Sequence, residues 1–280
     1  MTLSISIPAR DGFRLAGSRF QAESPARAVL LISPATGVRR SLYRRFAEYL
    51  AGRGFAVVTW DWRGTGESRP RSLRGFPATM RNWGELDLTG VIEWAAAEYA
   101  GLPLLVLGHS FGGQALGLAT NRDRVTAAVT VAAQVGYWGF WPTPLRYLYA
   151  ALWHALMPGI TRVVGWFPAG ALSLGEDLPR GVALEWSRWC RTPEYLGDWS
   201  GHEHLKAPLY CLGFTDDPFA PPRAILALHD RYVSAKQTRR ILTPREAGLR
   251  RVGHFGFFRP GAEHLWDEVA IWLDQQASAG

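Results

Sequence analysis

Cysteine is scarce, with Cys190 and Cys211 the only two in 280 residues. Cys211 lies in the apolar run Pro208-Leu209-Tyr210-Cys211-Leu212, where a small buried thiol is expected. Cys190 lies in a Trp-rich stretch with no Cys or His nearby at ligand spacing. A disulfide framework and a zinc site are thereby excluded, no metal or cofactor is called for, and a reducing, cytoplasmic setting fits. Long uncharged apolar runs are also missing. A membrane span needs about twenty such residues, and the longest candidate, over 147–165, is broken by Pro158 and Gly159 and carries His154 and Arg162. Stable insertion in a membrane is not expected, although an interfacial patch stays open. The first residues do not pair a charged segment with an apolar core; Leu3-Ser4-Ile5-Ser6-Ile7 alternates and reads as a strand, not a signal peptide. Charge is not concentrated either. The net charge of +7 is spread along the chain among Asp and Glu, which favours anionic surfaces at long range but gives no nucleic-acid footprint. Internal repeats and low-complexity segments are absent.

What is present is ample apolar material. A composition of 48% hydrophobic and 20% charged residues suits a full core in one large domain or two small ones. Two short strands flank the turn signal Arg10-Asp11-Gly12. Apolar runs at 28–32, 55–60, 103–107 and 125–131 read as strands buried on both faces. Between them, helices are expected over 41–52, 85–99 and 113–120. This alternation predicts an α/β fold with a mainly parallel, twisted sheet covered by helices on both faces. It stops near Gln134 and resumes at Pro208, with a strand to Phe214, a helix over 222–234, a strand over 239–242 and a last helix over 262–275. The predicted organisation is therefore a core of 1–135 and 205–280 interrupted by an inserted, mainly helical cap of 136–204.

The chemistry centres on Gly108-His109-Ser110-Phe111-Gly112, directly after one strand and before a helix. A serine on so sharp a turn needs glycine neighbours to avoid clashes, and the helix N-terminus behind it favours developing negative charge. A nucleophilic serine needs a base, and the base needs an orienting carboxylate. Of seven histidines, His254 stands in a glycine-flanked loop, Gly253-His254-Phe255-Gly256, after the last strand and before the last helix. From there it can reach the elbow. The carboxylate should sit at the C-terminal end of a strand, where Asp216 and Asp217 are adjacent and both available. The order serine, acid, histidine is the one expected on such a sheet.

Taken with these motifs, the sequence resembles the α/β-hydrolase superfamily over nearly its whole length outside the cap. Asp61-Trp62-Arg63-Gly64-Thr65-Gly66-Glu67-Ser68 is similar to the family's D-x-R-G-x-G-x-S segment, and Gly108 to Gly113 to its G-H-S-x-G-G elbow. Asp217 opens the family's D-x-x-x-P acid pattern, which selects Asp217 and leaves Asp216 as the fallback. The departure lies at Ser33-Pro34-Ala35-Thr36-Gly37, where many members have His-Gly; this loop resembles that of a bacterial branch of predicted hydrolases. The resemblance implies an acyl-enzyme mechanism with Ser110, Asp217 and His254. It places the oxyanion donors at Phe111 and at Ala35 or Thr36. Dehalogenases and epoxide hydrolases of this fold carry an Asp in place of Ser110.

Seven of the thirteen tryptophans fall in the expected cap, and an aromatic lid suggests an apolar or aromatic small-molecule substrate. Tyr137, Trp138 and Trp141, nearest the end of the preceding strand, are the candidate pocket residues. Ester hydrolysis leads the expected activities. Amide, thioester or carbon–carbon cleavage uses the same triad, and a non-catalytic ligand-binding protein or a membrane-associated lipase remains an alternative of another kind.

Overall fold

The computed structural model describes residues 1–22, 24–172 and 174–278. The continuous apolar runs form strands buried along their whole length. They include β3 (Ala28–Ser33), β4 (Phe55–Trp60), β5 (Leu104–His109), β6 (Ala127–Val131) and β9 (Leu209–Phe214). Alternation of side chains across a strand sends Val29 and Leu31 of β3 into one hydrophobic cluster and Ala28, Leu30 and Ile32 into the other. Each cluster is closed by helices, which is why both faces are apolar. With β1 (Thr2–Pro8), β2 (Arg14–Phe20) and β10 (Gln237–Leu242), the strands form an eight-stranded sheet in the order β1-β2-β4-β3-β5-β6-β9-β10. The pairs β1–β2 and β2–β4 are antiparallel and the remaining ladders parallel. This is the mainly parallel architecture that the resemblance implies.

One face is covered by α1 (Arg44–Ala51) and α10 (Glu263–Ser278), through Phe46, Leu50, Trp266 and Val269. The other is covered by α2 (Met80–Asn82), α3 (Thr89–Glu98) and α4 (Phe111–Leu118). The helix expected from Glu85 starts earlier, at Met80. Thr79 caps it with a reciprocal Thr79–Asn82 box, and its middle, Trp83–Leu88, is wound as a π-helix. The helix expected from Gly113 begins at Phe111, immediately after the serine.

Between β6 and β9 lie α5 (Leu145–Ala151), a π-helical turn at Leu152–Leu156, α6 (Met157–Val164), α7 (Arg180–Cys190) and α8 (Ser200–Glu203). Two strands of two residues each, β7 (Trp166–Phe167) and β8 (Leu178–Pro179), pair antiparallel there, a detail the sequence pattern does not carry. Trp153, Phe167, Val182 and Trp199 of this segment join the same hydrophobic cluster as Val106 and Trp83, so the insertion packs onto the sheet layer without a separate core. After β9 comes α9 (Pro222–His229). Among the described residues no helix is long and apolar enough to cross a membrane.

Candidate active site

β5 ends at His109 and α4 begins at Phe111, so Ser110 alone makes the turn, at φ 52° and ψ −119°. A non-glycine residue held there costs about 1–3 kcal/mol and persists only where its surroundings over-determine it. They do: the Ser110 N–H donates to the Val131 carbonyl at 2.9 Å, and the Gly113 N–H to the Ser110 carbonyl at 3.0 Å. A Cβ on Gly108 would stand 2.4 Å from the Gly113 nitrogen, and one on Gly112 would stand 2.0 Å from the Ser33 carbonyl oxygen. The two glycines of the motif are therefore required by close backbone approach.

After β9 the two candidate acids separate. Asp217 is buried, and its Oδ1 accepts from the N–H groups of Phe219 (2.8 Å) and Ala220 (3.0 Å). Its Oδ2 lies 2.7 Å from His254 Nδ1. Asp216 instead accepts from the backbone N–H groups of Val252 (2.9 Å) and Gly253 (3.1 Å). Both acids thus hold the histidine loop, Asp217 by the imidazole and Asp216 by the main chain. With Nδ1–H committed to Asp217, the other ring nitrogen of His254 is left as the acceptor. Ser110 and His254 line one cavity. No hydrogen bond joins the serine hydroxyl to the imidazole among the described residues, a contact that commonly tightens only with substrate.

The loop after β3 is held from below. Trp62 Nε1 donates to the Pro34 carbonyl at 2.9 Å, and the Trp62 ring stacks on Trp83 with centroids 5.6 Å apart and planes 8° apart. Asp61 accepts from the Arg40 N–H (2.7 Å) and the Glu67 N–H (3.0 Å). The Asp61-to-Ser68 motif is thus a brace for the neighbouring loop. Ala35 is corrected as a donor candidate, because its N–H points to the Tyr43 hydroxyl at 2.9 Å. The N–H groups of Thr36 and Phe111 have no partner among the described residues, and Thr36 Oγ1 is buried without one. His109, fully buried inside the elbow, bonds through Nδ1 to the Tyr43 hydroxyl and through Nε2 to the His254 carbonyl, each at 2.9 Å. Burial, followed by the nearby His254 ring, drives its pKa well below the usual histidine range. Tyr43 escapes sequence reading, since nothing marks a tyrosine 66 positions from its histidine partner.

The cavity above Ser110 measures about 540 Å³, within the range of small-molecule sites. Its wall is mostly apolar, with Trp141, Tyr149, Trp153, Met157, Phe167 and Trp186 from the insertion and Phe219 and Phe255 from the two later loops. Of the three expected pocket residues, Trp141 lines it and Tyr137 and Trp138 do not. The two are half-buried against the core cluster, because the chain makes a 3₁₀ turn at Trp138–Phe140 that returns only Trp141 to the site. There Trp141 Nε1 donates to the Pro218 carbonyl at 2.7 Å. Phe219 and Phe255 were missed as wall residues, although each is a close neighbour of a candidate triad member. Among the described residues no three His, Cys, Asp or Glu side chains are grouped to hold a metal.

A profile of the family described as serine aminopeptidase, S33, matches residues 24–176, which includes Ser110, Thr36 and Phe111 but stops short of Asp217 and His254. No curated protein sequence matches. Among solved structures, a highly thermostable carboxyl esterase from Bacillus coagulans in complex with glycerol is 11% identical, with a TM-score of 0.68 over 99% of each chain. Est1E from Butyrivibrio proteoclasticus, with ferulic acid bound, is 16% identical, with a TM-score of 0.65 over 98% of this chain and 99% of its own. A monoacylglycerol lipase from Paleococcus ferrophilus is 19% identical, with a TM-score of 0.64 over 94% of this chain and 99% of its own. At such identities the likeness establishes the fold.

Proposed function

The chain belongs to the serine aminopeptidase S33 family of α/β-hydrolases, and on that premise we propose that it is a serine hydrolase cleaving a carboxylic ester with an apolar or aromatic acyl group. One observation carries the reading. A strained Ser110 opens into the same cavity as a histidine whose far nitrogen is bonded to a buried aspartate. His254 takes the Ser110 proton as Oγ attacks the ester carbonyl, and the resulting imidazolium is stabilised by Asp217. The N–H groups of Phe111 and Thr36 receive the negative charge on the carbonyl oxygen, a contribution in which one donor is worth about a hundredfold in rate. His254 then returns the proton to the leaving alcohol. Water, deprotonated by the same histidine, resolves the acyl-enzyme.

The segment 136–204 is read as the cap of this site, over a core of 1–135 and 205–280. Its aromatic wall suits an acyl chain or ring better than a peptide. An aminopeptidase needs a carboxylate for the substrate's α-ammonium group, and Glu176, the only acid in the described cavity wall, is paired with Arg39 at 2.7 Å. That pairing favours an ester over a free peptide N-terminus. The test is turnover of p-nitrophenyl esters of rising acyl length, with Ser110→Ala in parallel and fluorophosphonate labelling of Ser110. Serine-dependent turnover supports the reading and sizes the acyl pocket. An unlabelled Ser110 that binds ligand without turnover would instead mark a binding protein on a hydrolase scaffold.

A further inference from the structure

Three segments that meet at Ser110 come from distant parts of the chain: 34–37 after β3, the elbow at 108–112 where β5 passes into α4, and 252–256 after β10. Nothing in the triad itself ties the first to the third. A buried chain of hydrogen bonds does so. The Ala35 N–H can only donate, so at 2.9 Å the Tyr43 oxygen accepts from it. The His254 carbonyl can only accept, so at 2.9 Å His109 Nε2 must carry the proton. His109 Nδ1 is then the acceptor, and the Tyr43 hydroxyl donates to it at 2.9 Å. One tautomer of a neutral ring satisfies every group in the chain.

We propose that Tyr43 and His109 are positioning residues that lock the oxyanion loop and the base loop to the nucleophile elbow, and so set the geometry of a site in which neither takes part chemically. The proposal rests on the roles given above to Ser110, His254 and Thr36. Tyr43 does two things at once. It withdraws the Ala35 N–H, which leaves Thr36 as the remaining one of the loop's two donor candidates. It also hands the restraint on to His109. His254 is then held from both ends, its ring by Asp217 and its carbonyl by His109. Packing fixes the relay in turn, with Phe258 edge-on to Tyr43 at 4.8 Å and beside His109 at 4.8 Å. Neither Tyr43 nor His109 lines the cavity, so any effect on turnover has to pass through the loops.

Three substitutions cut the relay at different bonds. Tyr43→Phe removes the hydroxyl that serves Ala35 and His109. His109→Asn keeps an acceptor near Nδ1 and loses the donor to His254. His109→Gln keeps a donor near Nε2. For Tyr43→Phe and His109→Asn, kcat on a p-nitrophenyl ester should fall about tenfold to a hundredfold with KM nearly unchanged, since misplacement by about 1 Å has that cost. His109→Gln should recover part of the His109→Asn loss. The double variant Tyr43→Phe/His109→Asn should be no worse than the poorer single one, because coupled sites are not additive. Unchanged kcat alongside a lowered thermal midpoint, or losses that multiply, would overturn the proposal. The ¹⁵N spectrum of His109 at pH 7 gives an arm independent of turnover. A neutral ring protonated at Nε2 is expected, and an Nδ1-protonated or charged ring would sink the relay. Loss of the Ser110 requirement in the wild type would strike the hydrolase reading instead, and leave the ¹⁵N result to judge the relay alone.

Discussion

The sheet edge that carries Ser110, Thr36 and His254 is held by directional bonds, whereas the cavity wall over it is built mainly of packed rings. Below, Asp216, Asp217, Trp62, Tyr43 and His109 each fix a loop backbone or the His254 imidazole at hydrogen-bond distance. Above, Trp153 packs on Trp186 with centroids 4.8 Å apart and Trp141 on Tyr149 at 4.6 Å. The indole nitrogens of Trp138 and Trp153 are buried without partners. Hydrogen bonds have steep angular and distance preferences, while apolar burial scales with area and has no direction. The floor is therefore suited to holding reacting atoms within a fraction of an ångström. The roof is suited to accepting substrates that differ in shape.

The comparison breaks first at the serine. Ser110→Ala should lower kcat about a millionfold with little change in fold, checked by turnover and a thermal melt. Asp217→Asn follows, at about ten-thousandfold, against about tenfold for Asp216→Asn, whose bonds reach only the backbone of 252–253. Similar losses from both would mean that the loop, and not the imidazole, is what the acids secure. Next comes stability against pH, which probes floor and roof together. His229, bonded to Thr130 of β6, is pushed down by burial to about 4, and His202 of α8 is pushed down by burial to about 3. Unfolded, both titrate near 6.5. Between there and the folded values the unfolded chain binds protons that the native one does not, so stability is full above pH 6.5 and falls as pH drops below it. Each group contributes about 1.4 kcal/mol per pH unit, and urea midpoints that stay level from pH 7 to 5 would refute this. Trp141→Phe is the smallest perturbation, losing the bond to Pro218. A rise in KM of about threefold with unaltered kcat would place the roof in binding alone, and a fall in kcat would give it a share in the chemistry.

Features of the site that depend on neighbours in sequence were legible. The elbow was, because its Gly-x-Ser-x-Gly pattern sits in one turn between strand and helix, although the close approach that Gly112 answers comes from Ser33 of the neighbouring strand. The acid loop was, because it follows the apolar run of β9, and the base loop was, because glycines flank His254 ahead of the last helix. The choice between Ala35 and Thr36 was not, since it turns on a hydroxyl eight positions away whose direction no local pattern reveals. Nor was the split between Trp138 and Trp141, because a 3₁₀ turn of three residues leaves no periodicity to read. The sheet was legible for the same reason as the elbow. The insertion's minor strands were not, being two residues long and stabilised by the cluster beneath them.

Gly37 and Gly175 touch across the boundary between floor and roof. The Glu176 N–H donates to the Gly37 carbonyl at 2.8 Å, and a Cβ on Gly175 would lie 2.6 Å from that oxygen. Gly37 immediately follows Thr36. A segment grafted from a relative would thus bring its own residue against the loop that carries Thr36, and anything larger than glycine at 175 would displace it. The stretch between β6 and β9 cannot then be traded whole. Substrate range in this chain has to be altered by substitution within the wall, with the 175–176 strap left as it is.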